Sequence, residues 1–102
     1  MLKIAVRAHN DEIEAKTATS WDEIHEYFFS PFYDDKYVIP LQVRGKTYNE
    51  RKADLREQAI EVSNLFPVLS LSWWEVSEIG EFFERNGKRY GLLREFHENG
   101  IC

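Results

Sequence analysis

The sequence predicts an α+β fold: a small, mostly antiparallel sheet of three or four strands with about four helices packed mainly on one face. Two kinds of pattern predict it. Segments 2–8 and 37–43 alternate apolar and polar residues with the two-residue period of half-buried strands. Three other segments begin with a hydroxyl side chain and carry glutamate three residues later, the spacing of a helix capping box. The 102 residues have room for one core, so 1–102 is interpreted as a single compact domain.

Composition and charge exclude several classes of protein. Apolar residues make up 43% of the chain and charged residues 30%, which excludes a disordered or collagen-like protein. The net charge of −5 argues against direct binding of nucleic acid, because phosphates attract basic surfaces. The longest uncharged run, 62–74, is shorter than the roughly 20 residues of a membrane span, so no membrane partner is expected. The single Cys102 forms no internal disulfide, and Arg7 and His9 interrupt any apolar export signal, so a cytoplasmic location is expected.

The first third of the chain predicts a hairpin followed by a short helix. After the strand at 2–8 come a turn at Asn10–Asp11 and a weaker alternating segment at 13–18. Ser20 and Glu23 form the first capping box, and Pro31 ends the helix that follows.

The middle third predicts a strand, a long helix and another short strand. Pro40 lies within the third strand, 37–43, which favours an edge strand or a bulge because proline donates no hydrogen bond to a neighbouring strand. Thr47 and Glu50 form the second capping box, and the long helix is predicted to run to about Leu65. Its apolar stripe consists of Tyr48, Leu55, Ala59, Val62 and Phe66. Residues 67–72 are interpreted as a short strand.

Residues 73–92 allow two interpretations. Ser72 and Glu75 form a third capping box, and Asn86–Gly87 would then close a helix with a left-handed cap. Alternatively, Asn86–Gly87 is the two-residue turn of a hairpin between 81–85 and 88–92. The pattern of 83–87 returns at 96–100, where Phe96 and Ile101 have the spacing of a Schellman cap. Two copies of a helix-ending signature favour two short helices.

The sequence contains no motif that indicates a particular reaction. The three histidines, His9, His25 and His97, lie in different elements and lack the spacing of a zinc site. The glycines form no phosphate-binding loop, and no serine lies in a nucleophile elbow. The sequence therefore predicts no catalytic residue, no metal ligand and no cofactor.

A row of carboxylates on the long helix is the first candidate binding feature. At 100° per residue, four acidic side chains fall within an arc of about 60°, away from the apolar stripe. They are Glu50, Asp54, Glu57 and Glu61. Their spacing resembles that of a phosphate backbone, which would suit a basic groove on a partner protein. The alternative is an ordinary solvated helix face.

Trp74 is the second candidate. In the helical interpretation of 73–86, one face points inward, and it carries Trp73, Val76, Ile79, Gly80 and Phe83. Trp74 lies nearly opposite, beside Glu78, Glu81 and Arg85, with Phe82 at the margin. Aromatic anchors dominate the energy of many interfaces, so a partner is predicted to bind Trp74, Glu78, Glu81 and Phe82. The alternative is that another part of the same domain covers Trp74.

These features predict a non-enzymatic interaction protein that presents an acidic, aromatic surface to a basic protein partner. In its strongest form the partner is a nucleic-acid enzyme, which the protein inhibits. The size and acidity resemble those of the small antirestriction and anti-CRISPR proteins of phages and mobile elements, a likeness of class that no motif carries. Two alternatives remain. One is a small enzyme or ligand-binding domain with a pocket between sheet and helices, around His9, Tyr37 or His25. The other is a homodimer formed through Trp74.

Overall fold

Three antiparallel strands form the sheet. The computed structural model describes residues 2–9, 12–27 and 35–102, without the side chains of His9 and Asp35. The middle strand, β1 (Lys3–His9), pairs with β2 (Glu12–Ala18) on one side and with β3 (Asp35–Ile39) on the other. The hairpin of the first two strands is confirmed, although its predicted turn at Asn10–Asp11 lies outside the described residues. As an edge strand that ends before Pro40, β3 also fits the prediction.

The two faces of the sheet carry cores of unequal size. Ile4 and Val6 of β1 face the main core with helices α2 (Tyr48–Leu65), α3 (Trp73–Arg89) and α4 (Leu93–Glu98). Ala5 faces the other way, into a small cluster with Ala18 and with Ile24 of helix α1 (Trp21–Tyr27). The predicted α+β class is therefore confirmed, with three of the four described helices on one face of the sheet.

Local capping signals begin the helices as predicted. Thr47 Oγ1 accepts a hydrogen bond from the Glu50 N–H at 3.2 Å, and the Glu50 carboxylate accepts from the Thr47 N–H at 3.1 Å. Ser72 and Glu75 repeat this arrangement at the start of α3. At α1 the capping residue Ser20 is also in place. The end of α2 at Leu65 matches the prediction. The helix end at Pro31 lies outside the described residues.

Neither interpretation of Asn86–Gly87 is correct. The helix α3 continues through both residues to Arg89, and the chain leaves it at Gly91, which has φ +72°. There the Leu92 N–H donates to the Gly87 carbonyl at 2.7 Å, as in a Schellman cap. Gly87 itself is helical and buried against α4, so its small size serves packing.

The helix end predicted from the second copy of the signature, at 96–100, is confirmed. The Ile101 N–H donates to the Phe96 carbonyl at 2.9 Å, and Gly100 has φ +69°. Both apolar partners of this cap, Phe96 and Ile101, are buried. The cap therefore closes α4 and adds two side chains to the main core.

The strand predicted at 67–72 is wrong. These residues form a turn and an irregular connection between α2 and α3, and the Val68 and Leu69 N–H groups both donate to the Leu65 carbonyl. Leu69 and Leu71 nevertheless pack against the main core. The alternation in the sequence thus reflects a loop with one side against the core, not a strand. The third strand is likewise shorter than predicted, because the chain turns at Leu41 with φ +51°.

None of the helices in the described part of the chain combines the length and the apolar character that crossing a membrane requires.

Candidate functional site

Two adjacent tryptophans lie exposed at the start of α3. The side chain of Trp73 is 86% exposed and that of Trp74 is 60% exposed. The capping box of Ser72 fixes the first turn of the helix, and Glu75 accepts a hydrogen bond from Thr17 on β2. The first turn of α3 is thus tied to the sheet, and it presents both indoles from a fixed position. We call Trp73 and Trp74 the tryptophan pair.

The exposure of Trp74 agrees with its predicted orientation, whereas the inward position predicted for Trp73 is wrong. The buried side of α3 is centred on Ile79 and Phe83. Trp73 precedes Ile79 by six positions, which places it about 120° away around the helix axis. Val76 is also exposed, although the same helical face was predicted to bury it. The apolar face of α3 therefore continues beyond the core, and the part of it in the first turn of the helix is exposed to solvent.

Two carboxylates on α3 follow the tryptophan pair. Glu78 and Glu81 lie one and two turns after Trp74. Glu81 is exposed. Glu78 is partly buried, and its Oε2 atom accepts no hydrogen bond from any described residue. The structure thus brings Trp74, Glu78 and Glu81 onto neighbouring parts of one helix.

Phe82 belongs more to the core than to the surface. Its side chain is partly buried and packs against the main core, with its ring centroid 5.0 Å from that of Phe83. Part of its side chain remains accessible to a partner.

Two of the four carboxylates on α2 stabilise the protein's own connection between β3 and α2. The Glu50 carboxylate accepts hydrogen bonds from the backbone N–H groups of Lys46 and Thr47, which hold its pKa below the usual range. Asp54 accepts from the Arg44 N–H and from Gln58 Nε2, both at 2.8 Å, and pairs with the Arg44 guanidinium at 3.3 Å. These two side chains are already engaged within the chain.

The remaining two carboxylates lie further along α2. Glu57 is exposed, and Glu61 is partly buried. Burial raises the pKa of Glu61, the neighbouring Glu57 charge raises it further, and Arg44 acts in the opposite direction. Burial and the Glu61 charge also raise the pKa of the Tyr37 hydroxyl on β3. Of the four carboxylates in the acidic row, Glu57 and Glu61 are therefore the two that remain for a partner.

At neutral pH we expect the Glu61→Gln variant to be more stable than the natural chain by less than about 1 kcal/mol. The folded-state pKa of Glu61 is raised, so the stability associated with its protonated form is complete below the ordinary pKa of 4.5 and is lost as pH rises through the folded-state pKa. Glutamine stays neutral, and its advantage should therefore vanish in acid. Urea unfolding at neutral and acid pH measures the difference.

Glu26→Gln is the matched control for this experiment, because Glu26 is an exposed carboxylate on α1. This variant should differ little from the natural chain at either pH. An advantage of Glu61→Gln that persists unchanged in acid would show that the carboxylate charge is not its cause.

Of the residues proposed for the alternative pocket, His9, Tyr37 or His25, two lie on opposite faces of the sheet. Tyr37 pairs with Val6 and so lies on the main-core face of the sheet, whereas His25 is exposed on α1 at the opposite face. The side chain of His9 lies outside the described residues. Among the residues that the structure describes, no three His, Cys, Asp or Glu side chains converge as a metal site would require.

Sequence reasoning missed Trp73 as a surface residue. Its adjacency to Trp74 was the available signal, because two successive helical residues lie about 100° apart and seldom share a buried face. Comparison of the chain with protein-family models, with curated proteins and with solved structures finds no match.

Proposed function

We propose that this protein is a non-enzymatic interaction module that binds a basic protein partner through the tryptophan pair. The observation that carries the proposal is the exposure of two successive indoles, 86% and 60%, on an anchored helix. A tryptophan side chain buries about 150–250 Å² when it is covered, so a partner gains considerable apolar contact here. Tryptophan is also enriched among the residues that dominate binding energy.

Anchoring of the helix supports the same proposal. The capping box and the hydrogen bond between Thr17 and Glu75 fix the first turn of α3 in the free protein. A partner therefore does not have to order this segment on binding, which lowers the entropic cost of association.

The charge of the neighbouring side chains supports a basic partner. Glu78 and Glu81 follow the tryptophan pair on α3, and the chain carries a net charge of −5. Complementary charge on the partner would speed association and set the orientation of docking. In the strongest form of the proposal the partner is a cytoplasmic nucleic-acid enzyme, which an inhibitor encoded by a phage or mobile element would block. The carboxylates Glu57 and Glu61 would then contribute a second acidic contact.

Affinity capture from host-cell extract, with mass spectrometry of the retained proteins, tests the proposal. A retained partner is then titrated by calorimetry with the natural chain and with Trp73→Ala and Trp74→Ala. Removal of either indole is expected to cost about 2 kcal/mol, which is about a 30-fold rise in Kd, while the variants remain folded. Trp21→Ala is the matched control, because Trp21 is 59% exposed on α1, on the other side of the sheet.

Three results would contradict the proposal. One is equal affinity for the Trp74→Ala and Trp21→Ala variants. Another is a complex whose affinity does not change with salt concentration, since the attraction between an acidic surface and a basic partner should weaken as salt is added. The third is a dimer in sedimentation experiments that Trp74→Ala dissociates, since the tryptophan pair would then serve self-association.

A further inference from the structure

A groove rich in arginine lies between the connection from β3 to α2, the first turns of α2 and the second half of α3. It consists of two adjoining hollows of about 370 Å³ and about 300 Å³, which share Arg51, Arg89 and Tyr90. Lys46 lines the smaller hollow and Arg85 lines the larger one. We call this feature the arginine groove.

Arg51 is held in place by the protein itself. Its side chain is partly buried, its Nε donates to the Gly45 carbonyl at 3.2 Å, and its Nη1 donates to the Tyr90 hydroxyl at 3.4 Å. A guanidinium has five N–H donors, so three remain for a ligand after these two bonds. Because the side chain is already ordered, a ligand does not bear the entropic cost of fixing it.

Within the described part of the chain, the other three cations of the groove pair with no carboxylate. The side chains of Lys46, Arg85 and Arg89 form no ion pair and no hydrogen bond with a described residue. Arg89 lies 5.9 Å from the centre of the Tyr90 ring, which is a cation–π contact. Two carboxylates, Glu78 and Glu81, line the larger hollow but not the smaller one. The smaller hollow is therefore lined by three cations and by no carboxylate, and the nearby Glu50 carboxylate is bound to the backbone N–H groups of Lys46 and Thr47.

An aromatic side chain completes the smaller hollow. The ring of Tyr48 is half exposed, and its centroid lies 5.5 Å from that of the buried Tyr90. It offers a flat apolar surface beside the guanidinium groups of Arg51 and Arg89, which also line this hollow.

We propose that the arginine groove binds a phosphate monoester whose organic part contains a flat ring. The phosphate lies against Arg51, Arg89 and Lys46, and the ring lies against Tyr48. A guanidinium matches a phosphate in geometry, because two parallel N–H groups donate to two oxygens, and charge-assisted bonds of this kind are strong. The residues placed against the phosphate and the ring line the smaller hollow, which contains neither the tryptophan pair nor Glu78 and Glu81, so this site is tested independently of the proposed interaction with a protein.

Nuclear magnetic resonance titration with phenyl phosphate and with inorganic phosphate, at low ionic strength, tests the site. We expect saturable shifts of the Arg51 side-chain Nε–H and of the Gly45 and Tyr90 amides. Arg51→Gln should weaken binding at least about tenfold, since it removes a charge-assisted contact. Arg94→Gln makes the same change of charge at an exposed residue on α4 and should leave binding unchanged. If Arg51→Gln disturbs folding, Arg89→Gln provides the same test, because Arg89 is exposed and forms no hydrogen bond with a described residue.

Tyr48→Leu tests the aromatic part of the proposal. In the natural chain phenyl phosphate should bind more tightly than inorganic phosphate, and in Tyr48→Leu this difference should disappear. Equal binding of the two probes by the natural chain would remove the ring from the proposal. Shifts that spread over all basic residues, or that persist unchanged in the arginine variants, would overturn the site itself, because they indicate nonspecific attraction of an anion.

Discussion

Replacement of Phe83 with alanine is expected to lower the free energy of unfolding by about 3–5 kcal/mol. The side chain is fully buried at the centre of the main core, and its ring lies 5.0 Å from that of Phe82 and 5.8 Å from that of Phe96. Truncation removes buried apolar area and leaves a cavity that the surrounding helices fill only partly. Urea unfolding followed by far-ultraviolet circular dichroism measures the change.

The partly buried neighbour provides the control. Phe82→Ala should cost clearly less than Phe83→Ala, because part of the Phe82 ring is already in contact with solvent. If Phe83→Ala does not fold, Phe83→Leu serves instead, with an expected loss of roughly 1–2 kcal/mol. If each of the two Phe83 variants loses less free energy of unfolding than the range expected for it, the position of Phe83 in the core is contradicted.

Replacement of Gly87 with alanine is expected to destabilise the protein by about 1–3 kcal/mol. An added Cβ would lie 2.8 Å from Cδ2 and 3.0 Å from Cε2 of the Phe96 ring, closer than van der Waals contact allows. Phe96 is itself buried, so its ring has little room to move. The overlap should outweigh the gain of about 1 kcal/mol that alanine normally brings to a helix interior.

Gly80 provides a matched control on the same helix. An added Cβ at this position meets nothing within 4 Å, so Gly80→Ala should stabilise the protein by about 0.5–1 kcal/mol. The two substitutions should therefore have opposite signs in the same unfolding experiment. Stabilisation by both would show that α3 and α4 are less closely packed at Gly87 than the structure indicates.

The features that sequence reasoning predicted correctly depend on residues close together in the chain. Each capping box needs only two side chains three positions apart, and the Schellman cap of α4 joins Phe96 to Ile101. The alternation of β1 is equally local, since each strand residue faces one side or the other. These signals were sufficient for the α+β class, for the hairpin and for the long helix α2.

The features that it predicted wrongly depend on contacts distant in the chain. Asn86–Gly87 has the composition of a helix end. In the structure, however, glycine is needed at position 87 because the Phe96 ring of another helix leaves no room for a side chain. Residues 67–72 alternate like a strand, although the described sheet holds no neighbour for them. A helical wheel likewise shows which residues share a face, but it does not show how far the core extends along that face, and Trp73 lies beyond it.

The candidate site shows the same division. Trp74 was predicted to be exposed from the spacing of the apolar residues that follow it, and it is exposed. The acidic row on α2 was also read from spacing, but a wheel does not show the loop that folds back onto the helix. On that loop, the Arg44 N–H donates a hydrogen bond to the Asp54 carboxylate, and the N–H groups of Lys46 and Thr47 donate to the Glu50 carboxylate. The arginine groove joins three separate segments, so no local pattern predicts it.

All three tryptophans of the chain lie at its surface, with Trp21, Trp73 and Trp74 exposed by 59%, 86% and 60%. The intrinsic fluorescence of the native protein therefore arises from indoles that are already largely in contact with water. Tryptophan emission should thus change less on unfolding than it does in a protein whose indoles are buried. The same property makes it a sensitive reporter of contact, because any molecule that covers Trp73 and Trp74 transfers their emission from a wet environment to a dry one.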